Sequence, residues 1–190
     1  MRITSIASKA LNLIVYFGIK NLDGIGSWIT KKGYLKHYKI KKGDIVVDCG
    51  AFFGYFTLLA AKKVGKKGKV IAFEPEPKNY GYLKKKIERY NLKNVVLIKK
   101  ALFNKETKLN LRRRFMFSSV IEYRKDPIKE ACVLATTLDK ELKRLKIRKV
   151  DFIKMDIEGT EIEAIEGAKE TLKSKPHLAI ACYHKREGKT

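Results

Sequence analysis

Short apolar runs recur between segments of helical period, and that alternation constrains the fold of this chain more than any other feature. DIVVDCG, residues 44–50, is a nearly continuous apolar run of the kind that marks a strand buried on both faces. YFTLLAAKKVG then predicts a helix ending near Gly65, and GKVIAFEP predicts a second strand. In PKNYGYLKKKIERYNL the residues Tyr80, Leu83, Ile87 and Tyr90 recur at helical spacing, and Pro77 suits a first turn. NVVLIKKAL reads as a third strand and VDFIKMDIEG as a further one. A helix follows with Ile162, Ile165, Ala168 and Leu172 on one face, and HLAIACYH reads as the last strand. Strands alternating with helices imply a mainly parallel, doubly wound α/β sheet covered on both faces. Ligands on such sheets bind beyond the carboxyl ends of the strands.

Residues 105–134 are less regular. KLNLRRR and SSVIEY are expected as strands of a hairpin or insertion over the sheet. TTLDKELKRL opens with Thr136 and Asp139 at capping-box spacing. At 190 residues the chain is expected to form one domain, with residues 1–40 as an N-terminal helical cap and 41–190 as the ligand-binding unit.

The charge balance bears on partners. There are 43 Lys plus Arg against 20 Asp plus Glu, a net +23, which favours nucleic acid, an acidic membrane surface or an anionic substrate. Glutamine is absent and lysine abundant, a bias of hot-growing organisms that accounts equally well for part of the excess. Cys49, Cys132 and Cys182 lie far apart, and are expected to be small buried residues of a reducing, cytoplasmic compartment, not a disulfide framework or a zinc site. Residues 10–19 form an apolar stretch with basic residues before it. It is too short to span a bilayer and reads as a helix packed over the domain, with a membrane-surface anchor as the rival reading.

Two clusters of residues carry chemistry. The first is the turn after the opening strand, DCGAFFG, followed by Glu74 twenty residues beyond Gly54. That is the spacing at which an acid receives the two hydroxyls of a ribose. A dinucleotide's pyrophosphate needs glycine in such a turn for close backbone approach, yet Phe52 fills the middle and no G-x-G-x-x-G is present. S-adenosylmethionine, a nucleoside cofactor without phosphates, does not need that approach, and aromatic faces suit its sulfonium. The plain alternative is a tight strand-to-helix turn that binds nothing. The second cluster is KMDIEGTE, where strand geometry points Lys154, Asp156 and Glu158 to one side. Glu161 and Glu163 read more simply as acids at the start of the next helix.

DCGAFFGYFTL, AFEPEPKNYGYLKKKI, KKALFNKE, TTLDKEL and FIKMDIEGTEIEAIEGAKETL, in this order, resemble the FkbM-type S-adenosylmethionine-dependent methyltransferases, from Asp44 to about His184. The resemblance implies the class I methyltransferase (Rossmann-like) sandwich and O-methylation of a hydroxyl on a sugar or other small metabolite. It implies a methionine pocket at Asp48, Gly50, Ala51 and Gly54, with Phe52, Tyr55 and Phe56 beside it. Glu74, with Pro75 and Asn79, is then assigned to the ribose, and Ala101 and Leu102 lie near the adenine. Phe52 departs from the family's asparagine. The chain also ends where that fold continues into a further helix and hairpin, so either it is a fragment or its sheet lacks the C-terminal hairpin strands.

An alcohol needs a base to become a nucleophile. Asp156 is the first candidate, with His184 second and Glu158 and Lys154 nearby. Asp156 also counts among the cofactor contacts, as a partner for the ammonium group. Asp156 and Glu158 as divalent-cation ligands form a further alternative, for which no other ligand is supplied. Arg112, Arg113 and Arg114, flanked by Phe115 and Phe117, keep open an RNA methyltransferase. A cofactor-binding protein without turnover is the non-enzyme alternative. Oligomeric state is not legible.

Overall fold

The computed structural model describes residues 33–114, 117–120 and 130–181, with 112–114, 117–120 and 130 as backbone only. The expected helix at residues 10–19, Cys182 and His184 lie outside these residues.

Five strands form the central sheet: β1 (Ile45–Cys49), β2 (Lys69–Phe73), β3 (Val95–Ile98), β8 (Phe152–Met155) and β9 (His177–Ile180). Their order is β3-β2-β1-β8-β9, and every pairing is parallel. On one face Val46, Val70 and Phe152 pack against Phe56, Ala60, Ala61 and Val64 of α1 (Tyr55–Val64). On the other, Val47, Cys49, Ile71, Phe73, Ile153 and Met155 meet Leu138 and Leu142 of α3 (Leu138–Arg144) and Ala164 of α4 (Glu161–Glu166). Each large side chain so buried contributes about 1.5–3 kcal/mol. Helix α2 (Pro77–Arg89) buries Leu83 against Ala51 and Ala72, while Tyr90 falls beyond its end and is exposed. Continuous apolar strands therefore sit where both faces are covered, as the sequence pattern requires.

The expected third strand is instead two. Lys99 and Lys100 interrupt the apolar run, and the chain crosses there from β3 to β4 (Ala101–Leu102), which belongs to a second sheet. That sheet has the order β4-β7-β5-β6, with β5 (Thr107–Arg114) and β6 (Phe117–Val120) as the expected hairpin. Its central strand, β7 (Glu130–Thr136), is not foreseen in the sequence. Val133 and Ala135 of β7 are buried while Cys132 and Leu134 are exposed, so two apolar residues on the outer face blur the alternation. Cys132 is thus exposed, against expectation, and only Cys49 of the two described cysteines is buried.

The final predicted helix also divides, into α4 and α5 (Lys169–Leu172), at Gly167. A Cβ at Gly167 would lie 2.2 Å from the Phe103 carbonyl oxygen, so the helices part where the chain passes close to the residue after β4. Ile162 points outward at 61% exposure, while Ala168 is buried with Ile165 and Leu172 packed against the core as expected, and Ala164, outside the expected face, is buried too. The capping box is corrected too. Thr137, not Thr136, caps α3 by accepting from Lys140 N at 3.1 Å.

Candidate active site

The strand order reverses between β1 and β8, and the turn after β1 opens at that point, on the carboxyl side of the sheet. Gly50 N and Ala51 N both donate to Phe73 O, at 3.0 and 2.9 Å, which ties the turn to the end of β2. Gly50 has φ +79°, and a Cβ there would lie 2.0 Å from Asp156 O, so only glycine lets the ends of β1 and β8 approach. At Gly54, with φ +83°, a Cβ would lie 2.3 Å from Leu83 Cδ1. Phe52 also holds a left-handed conformation, φ 51°, a position that asparagine occupies at less cost. Its half-buried ring tilts against Phe53 at 4.0 Å, and Phe53 meets Tyr82 edge-on at 5.8 Å.

Glu74 leaves the end of β2 and turns toward this loop. Its Oε2 accepts from Phe52 N at 2.7 Å and its Oε1 from Glu76 N at 2.9 Å. Only 5% of the residue is exposed. Burial pushes its carboxyl up to about 7, against the opposing pull of the backbone bonds, the Asn79 side chain and the Lys154 charge. Pro75 is half-buried beside it, and Asn79 N donates to Glu76 Oε2 at 2.7 Å to cap α2.

Lys154, inside β8, is 5% exposed and lies beneath the turn. Its Nζ donates to Gly50 O at 2.6 Å and Cys49 O at 3.3 Å, and pairs with Asp48 Oδ1 at 3.1 Å. Asp48 is fully buried, and its Oδ2 accepts from Thr57 Oγ1 at 2.5 Å. Burial opposes the lysine's charge, but the Asp48 and Asp156 carboxylates outweigh it and hold its pKa above the ordinary value. The ammonium is therefore a fixed cation clamping the first half of the turn.

β8 ends at Met155, so Asp156 and Glu158 do not continue the strand with Lys154 as the sequence pattern predicts. Asp156 N still bonds Cys49 O at 3.1 Å, while Glu158 has φ 58° and Gly159 φ 110°. Glu161 folds this loop back by accepting from Ile157 N at 3.1 Å and Gly159 N at 3.0 Å. Its place at the start of α4 is the helix-opening role expected of it, with the loop contacts in addition. Tyr34, from the segment before β1, donates its hydroxyl to Asp156 Oδ2.

The remaining candidates surround this centre or lie apart from it. Ala51 is buried beside the turn, Tyr55 is half-buried, and Phe56 of α1 is taken up by the core against the sheet. Ala101 and Leu102 are buried in β4. Arg112, Arg113 and Arg114 lie along β5 in the second sheet. Among the described residues no group of three His, Cys, Asp or Glu is arranged to hold a metal ion, and no helix is long and apolar enough to cross a membrane. Tyr34, Thr57 and the loop contacts of Glu161 are missing from the sequence reading. No motif gives a sign of Tyr34, which lies 122 residues from its partner.

Sheet order, covering helices and a glycine turn at the switch point are those of a class I methyltransferase fold. A crystal structure of methyltransferase FkbM from Methylobacillus flagellatus KT superposes with a TM-score of 0.61 at 22% identity, over 79% of this chain and 36% of that one. Aeropyrum pernix fibrillarin, in complex with natively bound S-adenosyl-L-methionine, superposes with a TM-score of 0.50 at 13% identity, over 80% of this chain and 50% of that one. At these identities the likeness is one of fold. The chain belongs to the Methyltransferase FkbM domain family, which it matches over residues 48–188. A probable cobalt-precorrin-6B C(15)-methyltransferase (decarboxylating) of Saccharolobus solfataricus is 38% identical over 66 residues, 34% of this chain and 33% of that protein. The chain spans a third or less of the length of the curated relatives it matches.

Proposed function

We propose that this protein is an S-adenosylmethionine-dependent methyltransferase acting on a hydroxyl of a sugar or other small metabolite, with Asp156 as the group that orients and deprotonates the acceptor. One observation carries the cofactor reading: four of the turn's backbone donors are already used within the protein. The N–H groups of Gly50 and Ala51 go to Phe73 O, that of Phe52 to Glu74, and that of Gly54 to Ala51 O. A pyrophosphate is bound by N–H groups aimed at the ligand, so this turn suits a nucleoside without phosphates.

The donor set fits such a group. Each Glu74 oxygen accepts one backbone N–H, and a carboxylate oxygen has a second lone pair for a ribose hydroxyl. Glycine at positions 50 and 54 and the aromatic Phe52 and Tyr55 would line the methionine end. When bound, S-adenosylmethionine supplies a methyl group activated on a sulfonium. The chain's own part is alignment: Lys154 fixes the turn, Glu74 fixes the nucleoside, and Asp156 takes the acceptor's proton.

The experiment is transfer of a tritiated methyl group into fractionated lysate, comparing the wild type with Asp156→Asn. Label should enter a glycan or small-molecule pool. The variant should turn over about 10²–10⁴ times more slowly, with little change in S-adenosylhomocysteine affinity measured by calorimetry. Label in RNA would move the assignment to a nucleic-acid acceptor and to the basic run at Arg112, Arg113 and Arg114. Cofactor binding without label in any pool would make it a binding protein. Near-normal turnover of the variant would remove Asp156 from the chemistry and make His184 the leading base.

A further inference from the structure

In a parallel sheet each crossover returns the chain to the same edge, so the loops that precede the strands share one pole of the molecule. The strands start level with one another: Ile45 pairs with Lys69, Val70 with Val95, Val46 with Phe152 and Phe152 with His177. Backbone bonds join these loops, from Gly43 N to Val64 O and from Asp151 N to Ile45 O, both at 2.9 Å. The segments gathered there read KIKKGD (39–44), KKVGKKGK (62–69), RYNLKN (89–94), KRLKIRKVD (143–151) and KSKPH (173–177). Their acids are Asp44 and Asp151, and both are engaged. Asp44 accepts from Tyr38 and Lys41 N, and Asp151 from Ile45 N and Lys149. At the opposite edge the turn after β1 carries no charge, and the loops after β2 and β8, with the start of α4, hold Glu74, Glu76, Asp156, Glu158 and Glu161. The cations at that edge are Lys78, Lys99 and Lys100, the last paired with Glu141. Charge is thus sorted by sheet edge, which a lysine-rich composition alone does not do. Helix dipoles account for the basic last turns, Lys62 and Lys63 in α1 and Lys143 and Arg144 in α3. Lys41, Lys42, Lys66, Lys67, Lys146 and Arg148 lie beyond those turns and are exposed.

We propose that this basic pole is a docking surface for an anionic lipid bilayer. Its charges come from loops that follow α1 on one face of the sheet and α3 on the other, yet end at one edge. They address a plane, not a groove that tracks a single strand. Ahead of β1 a cavity of about 300 Å³ places Lys36, His37, Lys39 and Lys63 around Tyr38 and Ile40. A basic rim over an apolar floor suits a lipid phosphate with its glycerol attached, since lysine stems also cover apolar surface. The sequence adds a second signal, the apolar stretch at residues 10–19, and buried apolar area adds to electrostatic attraction at a membrane surface. A nucleic-acid acceptor would bring its phosphates to the mouth of the site, where the acids repel them. The basic pole lies a strand's length away, about 16 Å for the five residues of β1. Docked this way, the glycine turn faces the aqueous phase. Docking of this kind does not depend on which acceptor is methylated.

The test combines Lys42→Glu, Lys66→Glu and Arg148→Glu, one from each of three loops, in the full chain. A control carries the same charge change elsewhere, as Lys85→Glu, Lys105→Glu and Lys108→Glu, exposed positions on α2, after β4 and on β5. Co-sedimentation is measured with vesicles of phosphatidylglycerol and phosphatidylcholine in equal parts, and with phosphatidylcholine alone, at low and physiological salt. The wild type should bind the anionic vesicles, bind the neutral ones far less, and lose affinity as salt rises. Each cation at an anionic surface is worth about fivefold in affinity, so the pole variant should bind at least about 10²-fold more weakly, and the control within about fivefold of wild type. Tm and S-adenosylhomocysteine affinity should match wild type in both. If the pole variant lowers Tm, the corresponding Gln substitutions, which remove charge without reversing it, should give the same order of binding. No binding to anionic vesicles overturns the proposal, and so does an equal loss in the two variants, which would reflect net charge alone. Undiminished binding of the pole variant overturns it in favour of the N-terminal apolar stretch. Tighter binding to polyuridylate than to vesicles at the same salt, lost in the pole variant, overturns it in favour of nucleic acid. Displacement from the vesicles by glycerol phosphate would reduce the surface to a pocket for a soluble anion and overturn it as well.

Discussion

Glu74 combines two demands that pull in opposite directions. A ribose hydroxyl pair is best received by an ionised carboxylate, yet burial raises the carboxyl from 4.5 to about 7. Between those values the folded chain holds more protons than the unfolded one, so stability falls as pH rises from about 4.5 through 7 and levels off above. A shift of this size corresponds to on the order of 3 kcal/mol. Glu74→Gln removes the titration, so its Tm relative to wild type should improve from about pH 5 to about pH 7 and level off above, as followed by scanning calorimetry. Parallel profiles would mean that the carboxyl ionises normally. The same variant should bind S-adenosylhomocysteine more weakly by about 1–3 kcal/mol, because an amide offers one acceptor oxygen in place of two. A residue that strains the empty fold and serves the ligand is the usual pattern at functional sites. Its place at the end of β2 beside the turn was legible from its spacing to Gly54; its energetic cost, which depends on burial, was not.

Among the elements, α5 shows how a short helix is held by a residue outside it. Ala168 at its N-cap offers no side-chain acceptor. Asp139, near the start of α3, supplies one: Oδ2 accepts from Glu170 N at 2.9 Å, and Oδ1 from Thr171 N at 2.8 Å and Thr171 Oγ1 at 2.6 Å. The Thr137-Leu138-Asp139 triplet therefore caps two helices, its own through Thr137 and the next through Asp139, while Leu138 enters the core. Asp139→Ala should lower stability by about 1–2 kcal/mol, the range for a lost helix cap, read as the shift in urea midpoint. Asp139→Asn should recover part of it, since one acceptor oxygen remains. An unchanged midpoint for the alanine variant would show that α5 is held by packing alone. The sequence offered Asp139 as a cap, and it is one, but for a helix about thirty residues away rather than for its own.

At the scale of the whole molecule, the two sheets meet around Glu141. Its side chain is 1% exposed and accepts from Lys100 at 2.6 Å, from Arg144 at 2.8 Å and from Thr136 at 3.2 Å. Lys100 lies on the crossover between the sheets, Thr136 ends β7, and Arg144 belongs to α3. Burial opposes ionisation of Glu141, but the bonds from Lys100 and Arg144 prevail and hold its carboxyl below the ordinary range. Its contribution is thus present at neutral pH and is lost as pH falls through that lowered value. Glu141→Gln should cost on the order of 1–3 kcal/mol at pH 7, and the deficit should shrink on acidification below the usual glutamate range, as measured by urea unfolding at both pH values. A deficit that does not change with pH would assign the effect to packing. In a chain of net charge +23 this buried acid uses two of the many cations for structure.

The sequence by itself determined the alternation of buried strands and covering helices, the glycine turn after β1 and the acid at the end of β2. Each of these follows from a local period, a conformational demand on glycine, or a spacing within one strand–helix–strand unit. It also carried the family's motifs in order. Tertiary structure decided what local pattern cannot reach. It divided one apolar run between two sheets at Lys99 and Lys100, because the paired Lys100 has its partner on α3. It made β7 a central strand although two apolar residues lie on its outer face. It brought Tyr34 onto Asp156 across 122 residues, turned Lys154 inward as a clamp, and raised the Glu74 carboxyl. Contact between residues far apart in the chain, and the burial that sets a group's charge, exist only once the sheet and its helices have packed.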